Sequence, residues 1–404
     1  MDETHQRRFD NQPVNLLEAP EAAALLGVKV RTLYAYASRG WLQSHPGEGR
    51  TRRYNRDDIE RLRARRDARL GHGPVAAGAL RWGEPVLETA VSLIDERGPF
   101  YRGRSAIELA RAGVPFEAVA ELLWSGTLPE RRPRWTAGGW LPRPKLPAGE
   151  PPLTALQLAV PLLAARDPGR FGFAGEDERA RSLVARLAAC VGPGGAKEGV
   201  ARTLLVALGG ADRPAAVAAL DEALVLMADH ELNASSFAAR VAASAGADLY
   251  ACVAAALATL SGPRHGGACD RIEALVAEAG GDARRARQVM TDRLRRGEAV
   301  PGFGHPLYPR GDPRTQPLLE AARRLGSRRA RVVFAIAGAV PEPPATELGL
   351  VALAQALDLK RGAATCIFAV GRSAGWIAHA LEQRAAGYLL RPRARYVGVA
   401  PLQS

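Results

Sequence analysis

The chain has 404 residues, 47% of them apolar and 24% charged, which excludes a disordered or fibrous polypeptide and gives length for two or three structural units. Its 55 Lys and Arg against 42 Asp and Glu leave a formal charge of +13, with Arg far in excess of Lys. That balance points to an anionic partner, nucleic acid or metabolite, although an Arg- and Ala-rich composition also arises without functional cause. Cys190, Cys252, Cys269 and Cys366 are too widely spaced for a zinc motif or a disulfide framework. The charged first ten residues lack the apolar core of a signal peptide. A reducing, cytoplasmic setting with no membrane is the expectation.

In chain order, Pro20 suits the first position of a helix, with Glu21 at the positive end of the helix dipole. The helix runs through Ala22 to Leu26 and ends at Gly27, a tight turn. A second helix is predicted from about Val30 through Leu33, Tyr34 and Ala37 to Gly40. Helix, Gly-containing turn, helix is a DNA-reading pattern, and the second helix offers Lys29, Arg31, Thr32 and Tyr36 to a groove. After Trp41 and Leu42, the Gly-flanked segment 47–54 reads as a wing whose Arg50, Arg52 and Arg53 meet phosphates. A third helix begins with Asp57 and Asp58 and becomes basic at Arg61, Arg63, Arg65 and Arg66.

The run PEAAALLGVKVRTLYAYASRGWL followed by RTRRYNRDDIERL resembles the MerR/excisionase-type winged helix-turn-helix family over residues 14–65. That resemblance implies binding of double-stranded DNA through the second helix and the wing. The competing reading is a helical docking or dimer surface whose arginines are merely solvated. A first domain over 1–70 and a linker over 71–83, opening with Gly71-His72-Gly73-Pro74, follow.

Beyond the linker the pattern is predominantly helical. Ala and Leu recur at three- and four-residue spacing in Glu117–Trp124, Ala180–Cys190 and Pro214–Met227, with Pro214 at a first helical position. A Pro-rich segment, Pro129–Pro152, reads as a surface connection, and Val241–Leu260 as one buried helix too weakly apolar to span a membrane.

Seven histidines are few enough for their positions to inform. His5, His45, His72 and His379 read as ordinary core or surface residues. His230, His265 and His305 lie in turn-rich surroundings, DHELNAS, GPRHGGA and PGFGHPLYPRGDPR, which hold side chains at loop tips and bring backbone N–H groups to a ligand. No close ligand pair such as HExxH accompanies them, so no metal is expected. Arg314, Arg372, Arg391 and Arg393 follow. Guanidinium forks with imidazoles suit a small di- or tricarboxylate, the forks clamping carboxylates and the imidazoles polarising a carbonyl. Taken one at a time, each arginine reads more readily as a solvated surface charge of an Arg-rich chain.

Together DHELNAS, GPRHGGA, PGFGHPLYPRGDPR and GRSAGWIAHALEQ…RPRARYVG, with YRGRSAIELA…FEAVAELLWSGTLP upstream, resemble the citrate synthase family over residues 84–401. The resemblance implies a mainly α, two-domain helical fold over 84–404, with a small closing subdomain at about 266–355, in a homodimer with shared active sites. By the same resemblance, His230 binds oxaloacetate, His265 stabilises the enol or enolate of the acyl thioester, and His305 donates to the oxaloacetate carbonyl. Arg314 and Arg372 hold carboxylates, and Arg391 is the arginine contributed across the dimer. Val300, Pro301, Gly302, Phe303 and Gly304 form the turn that contacts CoA. No bound cofactor is implied; acetyl-CoA or propionyl-CoA is a co-substrate.

The sequence departs from the family at the base. Where a Pro-Asn-Val/Ile-Asp motif supplies an aspartate, this chain reads Pro344-Ala345-Thr346-Glu347, which places Glu347 in that role. Its carboxyl has nearly the same intrinsic basicity, about 4.3 against about 3.9, but stands one methylene further out. Two functions follow. One is an acyltransferase making citrate or 2-methylcitrate. The other is a DNA-binding regulator that uses the synthase body as a metabolite sensor, with domain closure as its two-state element.

Overall fold

The computed structural model describes residues 16–47, 51–56, 58–59, 62, 87–147, 149–172, 175–394 and 397–399. Arg50, Arg61, Arg63, Arg65, Arg66 and the predicted linker 71–83 lie outside the described residues. The chain divides into two units, Met1–Glu88 and Thr89–Ser404.

The first unit is built from β1 (Leu16–Glu18), α1 (Ala19–Leu26), α2 (Val30–Ser38), β2 (Ser44–Pro46) and β3 (Arg52–Asn55). Glu18 and Glu21 form a reciprocal capping box at the start of α1. Gly27 ends that helix in the left-handed region at φ 69°, a conformation that costs glycine little. The turn then delivers Val30 directly into α2. β3 pairs antiparallel with β2, His45 opposite Arg53, and also with β1, Leu17 opposite Tyr54. Ala22, Leu26, Leu33, Leu42, Tyr54 and Ile59 close a small core.

The second unit opens with a three-stranded meander, β4 (Ser92–Asp95), β5 (Gly98–Tyr101) and β6 (Arg104–Ser105), in the order β4-β5-β6. Helices follow: α3 (Ala106–Arg111), α4 (Phe116–Ser125), α5 (Pro152–Ala165), α6 (Glu176–Cys190), α7 (Val200–Ala207) and α8 (Pro214–Met227). Then come α9 (Ala234–Ser244), α10 (Leu249–Leu260), α11 (Ala268–Glu278), α12 (Ala283–Arg295) and α13 (Thr315–Arg324). The last are α14 (Arg331–Ala337), α15 (Thr346–Ala356) and α16 (Ala363–Ala386). The mainly α expectation holds.

Helix α16 is the axis of this unit. It is buried along most of its length and packs against α4, α8, α9, α10 and α15. A helix buried on nearly every side belongs inside a core, and the polar groups it carries there, Arg372, His379 and Gln383, each find a hydrogen-bond partner. The four cysteines are buried and unpaired. Among the described residues no helix is long and apolar enough to cross a membrane.

Two expectations change. Val241–Leu260 is not one helix: Gly246, at φ 81°, breaks it, and Asp248 caps the restart by accepting from Ala251 N. A cap and a left-handed glycine override the continuous alanine pattern. The Pro-rich connection is irregular as expected but not confined to the surface, since Trp135 and Ala137 are buried and Trp135 stacks on Trp124 at 5.2 Å.

Candidate active site

His230 sits in the turn between α8 and α9, where the end of α8 meets α16. Two glycines of α16 permit that approach. A Cβ on Gly371 would stand 2.9 Å from Met227 Cβ, and one on Gly375 would stand 2.2 Å from Asp229 Oδ1. Gly375 N donates to Ala228 O at 2.9 Å. Between the glycines, Arg372 donates from Nε to Met227 O at 2.8 Å and lies over the Phe368 ring at 4.5 Å. The side of α16 that must carry glycine for packing therefore also delivers a buried guanidinium. Asn233 ends the turn by capping α9, accepting from Ser235 N and Ser236 N.

His265 lies in the tight turn joining α10 to α11. Its Nε2 is 2.8 Å from Ser235 Oγ, which also accepts from Trp376 Nε1 at 3.0 Å. The ring meets Phe368 edge-on at 6.3 Å. His265 is thus held by the first turn of α9 and the middle of α16.

The long connection between α12 and α13 brings the third histidine. His305 stands edge-on to His230 with ring centroids 5.7 Å apart, and Tyr308 lies 5.0 Å from His305. Tyr308 Oη and His230 Nε2 are hydrogen-bonded at 3.0 Å. Arg314 grips Asp312 through Nε at 3.0 Å and Nη2 at 2.6 Å, while its buried Nη1 has no hydrogen-bond partner. Segment 300–304 is tied to the strand-like stretch before α15. Phe303 bridges Pro344, Gly304 N donates to Pro343 O at 2.9 Å, and Ala345 N donates to Gly302 O at 2.8 Å. Gly302 cannot carry a side chain here, since a Cβ would stand 2.7 Å from Ile272 Cδ1 at φ 90°. This bridge carries the backbone into α15, whose second residue is the half-buried Glu347.

Electrostatics make the histidines neutral at pH 7. Burial, reinforced by Arg314, Arg372 and His305, holds His230 well below the usual histidine range. Burial and Arg372 lower His265 to about 4. Burial lowers His305 too, with Asp312 opposing and Arg314 assisting. Burial pulls Arg372 down to about 10. For Arg314 burial acts the same way, but Asp312 outweighs it and raises the guanidinium. Burial pushes Glu347 above the ordinary carboxyl range, countered by its own backbone N–H and by Arg314. Two buried cations beside neutral imidazole donors favour an anion with more than one carboxylate.

His230, His305 and Asp312 also place ligand atoms within 4.8 Å of one another. They do not fit a metal ion. Arg314 occupies both Asp312 oxygens, Tyr308 takes His230 Nε2, and Arg314 adds a positive charge beside them.

The structure therefore brings together His230, His305, Arg314 and Arg372, sets His265 on the Arg372 side, and places Glu347 at a helix start within the field of both arginines. Arg391 and Arg393 are exposed beyond α16. Asp229, Tyr308 and Asp312 escaped sequence reasoning although they lie inside the motifs DHELNAS and HPLYPRGDPR; Ser235 ends the first of these. Ser92 carried no signal at all.

In the first unit, Lys29, Arg31 and Arg52 are exposed, and Thr32 and Tyr36 are half-buried, Tyr36 stacked on Trp41 at 5.3 Å. Arg52 donates to Ser44 Oγ at 3.0 Å, and Arg53 pairs with Glu18 at 2.6 Å.

Comparison with known proteins matches two families, one after the other along the chain. Residues 16–67 match the helix-turn-helix domain family, and residues 79–393 match the citrate synthase C-terminal domain family. "Citrate synthase 2" of Bacillus subtilis is 36% identical over 210 residues, half of this chain and 56% of that relative, so the chain spans little more than half its length. "2-methylcitrate synthase" of Mycobacterium tuberculosis is 32% identical over 335 residues, covering 74% of this chain and 84% of the relative. A Thermoplasma acidophilum citrate synthase, solved as a ternary complex with carboxymethyl coenzyme A and oxaloacetate, superposes with a TM-score of 0.69. Its identity is 25%, over 79% of this chain and 96% of that one. The chain, from residue 79 to residue 393, belongs to the citrate synthase family.

Proposed function

We propose that the second unit is a citrate synthase-type acyltransferase that condenses acetyl-CoA or propionyl-CoA with oxaloacetate and hydrolyses the resulting thioester to citrate or 2-methylcitrate and CoA. The observation that carries this reading is the pairing of two buried guanidiniums, Arg314 and Arg372, with neutral His230, His265 and His305.

In this reading His230, Arg314 and Arg372 hold the oxaloacetate carboxylates, the unpartnered Arg314 Nη1 being a ready donor. Glu347 takes the α-proton of the thioester while His265 donates a hydrogen bond to the thioester carbonyl oxygen, giving the enol or enolate. The new carbon–carbon bond forms at the oxaloacetate carbonyl carbon; its oxygen takes a proton from His305, and the proton lifted by Glu347 restores His305, so both groups regain their starting states. Water then cleaves the thioester and CoA leaves. Electrostatic stabilisation of this kind rests on donors fixed in advance, which buried, cross-bonded histidines provide.

Segment 300–304 is the CoA-contacting turn, and about 266–355 is the closing subdomain that excludes water. Arg391, exposed in one chain, acts in the partner's site of a homodimer. The unit needs no metal and no bound cofactor, and four buried free thiols suit a cytoplasmic setting. Mass spectrometry of a reaction with oxaloacetate and each acyl-CoA tests the assignment. Citrate or 2-methylcitrate is the expected product; thioester hydrolysis without a condensed product counts against it.

The first unit supports a second activity, binding of double-stranded DNA through Lys29, Arg31, Thr32 and Tyr36 and through Arg50, Arg52 and Arg53. Exposed Lys29, Arg31 and Arg52 favour it. Replacing these three by alanine should flatten the dependence of log affinity on log salt by about 0.9 per lost phosphate contact. An unchanged slope counts against that surface. In the regulator reading, which the fused helix-turn-helix and the departure at Glu347 motivate, the second unit only senses ligand; the presence of all three histidines, His265 and His305 among them, favours chemistry.

A further inference from the structure

The turn that carries His230 is held by a buried carboxylate with no part in the steps above. Asp229 is fully buried, and its Oδ2 accepts from Ser92 Oγ and, at 3.0 Å, from Glu231 N. Ser92 Oγ also accepts from Glu231 N at 3.1 Å. The third partner of Oδ2 is His379 Nε2, at 3.3 Å and fully buried on α16. Glu382, one turn further along α16, stands 4.0 Å from His379 Nδ1 and accepts from Thr89 Oγ1 and Ala90 N, both at 2.7 Å, and from Arg240 at 2.8 Å. The stretch 89–92 therefore touches both ends of one network.

Two features say that this network acts on His230. Glu231 adopts φ 53°, a left-handed conformation unfavourable for a side chain with a Cβ, and its N–H is the group that Asp229 and Ser92 both grip. His230 lies between the clamped residues, so the turn geometry fixes where its ring emerges beside His305 and Tyr308. Buried ionic groups are also poor devices for stability alone, because apolar packing of the same volume commonly serves as well. Burial opposes ionisation of Asp229, yet His379, Arg372 and Ser92 keep it below the ordinary carboxyl range.

We propose that Asp229, braced by Ser92 and His379, is the positioning residue of His230, setting the affinity of the site for its dicarboxylate substrate. The proposal rests on the reading of His230 as an oxaloacetate ligand. None of the three residues touches substrate in this account; they act through the turn.

Calorimetric titration of the full-length protein with oxaloacetate, without acyl-CoA, tests it in wild type and in Ser92→Ala, His379→Leu and His379→Gln, with folding checked by circular dichroism. Ser92→Ala and His379→Leu should weaken oxaloacetate binding at least tenfold. KM for acyl-CoA should stay within twofold, and kcat at saturating oxaloacetate should fall less than the affinity does. His379→Gln, whose amide can donate the same hydrogen bond, should stay within threefold of wild type. Wild-type binding together with an unchanged Ser92→Ala overturns the positioning role alone, as does a His379→Gln no better than His379→Leu. A wild-type protein that takes up no oxaloacetate overturns the substrate reading and this proposal together.

Discussion

Arg314 grips both carboxylate oxygens of Asp312, two residues upstream, which leaves its buried Nη1 without a hydrogen-bond partner while its charge bears on His230 and His305. A guanidinium braced in this way binds a carboxylate with little further loss of freedom. Arg314→Gln should raise KM for oxaloacetate more than a hundredfold. It should also lower the unfolding free energy by about 3–5 kcal/mol, because Asp312 is left buried without its cation. Steady-state kinetics and urea unfolding on the same variant check both.

Gly375 is the point where α16 comes closest to the His230 turn, and a methyl group there would meet Asp229 Oδ1 at 2.2 Å and Ala228 O at 2.6 Å. Both belong to a buried segment that cannot yield without moving His230. Gly375→Ala should cost about 1–3 kcal/mol in stability, as overpacking does, and weaken oxaloacetate binding along with it. A variant as stable as wild type, with normal oxaloacetate binding, would contradict the described contact.

The sequence makes the helical class legible because Ala and Leu repeat at the spacing of a buried helix face. It also places the three histidines, since each lies in a long, distinctive motif. The brace around them was not legible. Ser92 stands in a short strand more than a hundred residues from Asp229, and only folding brings them together. His379 reads as an ordinary core histidine because, although Glu382 lies one turn along the same helix, nothing in the local sequence shows that Asp229 meets its other side. The break at Gly246 was hidden for the opposite reason: an alanine-rich run masks a single left-handed residue and a cap.

Glu347, pushed up by burial, acts in its ionised form in the proposed reaction. The rate should therefore fall as pH drops through a value above the ordinary Glu range of about 4.3. Glu347→Gln should lower kcat by on the order of 100- to 10,000-fold, with KM for oxaloacetate changed less than threefold. A pH–rate profile in which Glu347→Gln keeps the acid limb would assign that limb to another group.

The depressed histidines also fix the sign of the stability profile. His265 falls to about 4 in the folded chain, against about 6.5 when unfolded, and His230 and His305 shift the same way. Above pH 6.5 these groups are neutral in both states and contribute no pH dependence. For His265, between about 6.5 and 4, the unfolded chain takes up a proton that the folded one refuses, and His230 and His305 act in the same direction. Each then removes up to about 1.4 kcal/mol of stability per pH unit as pH falls. Urea unfolding from pH 7.5 to 5 should show this slope, and His265→Gln should reduce it.

Whether the second unit is a condensing enzyme is decided by release of free thiol from acetyl-CoA and from propionyl-CoA, followed with a thiol-reactive dye in the presence and absence of oxaloacetate. Release should depend on oxaloacetate and be abolished by Glu347→Gln. No release with either thioester, in a protein that still binds oxaloacetate, would contradict catalysis and leave the second unit a sensor for the helix-turn-helix unit.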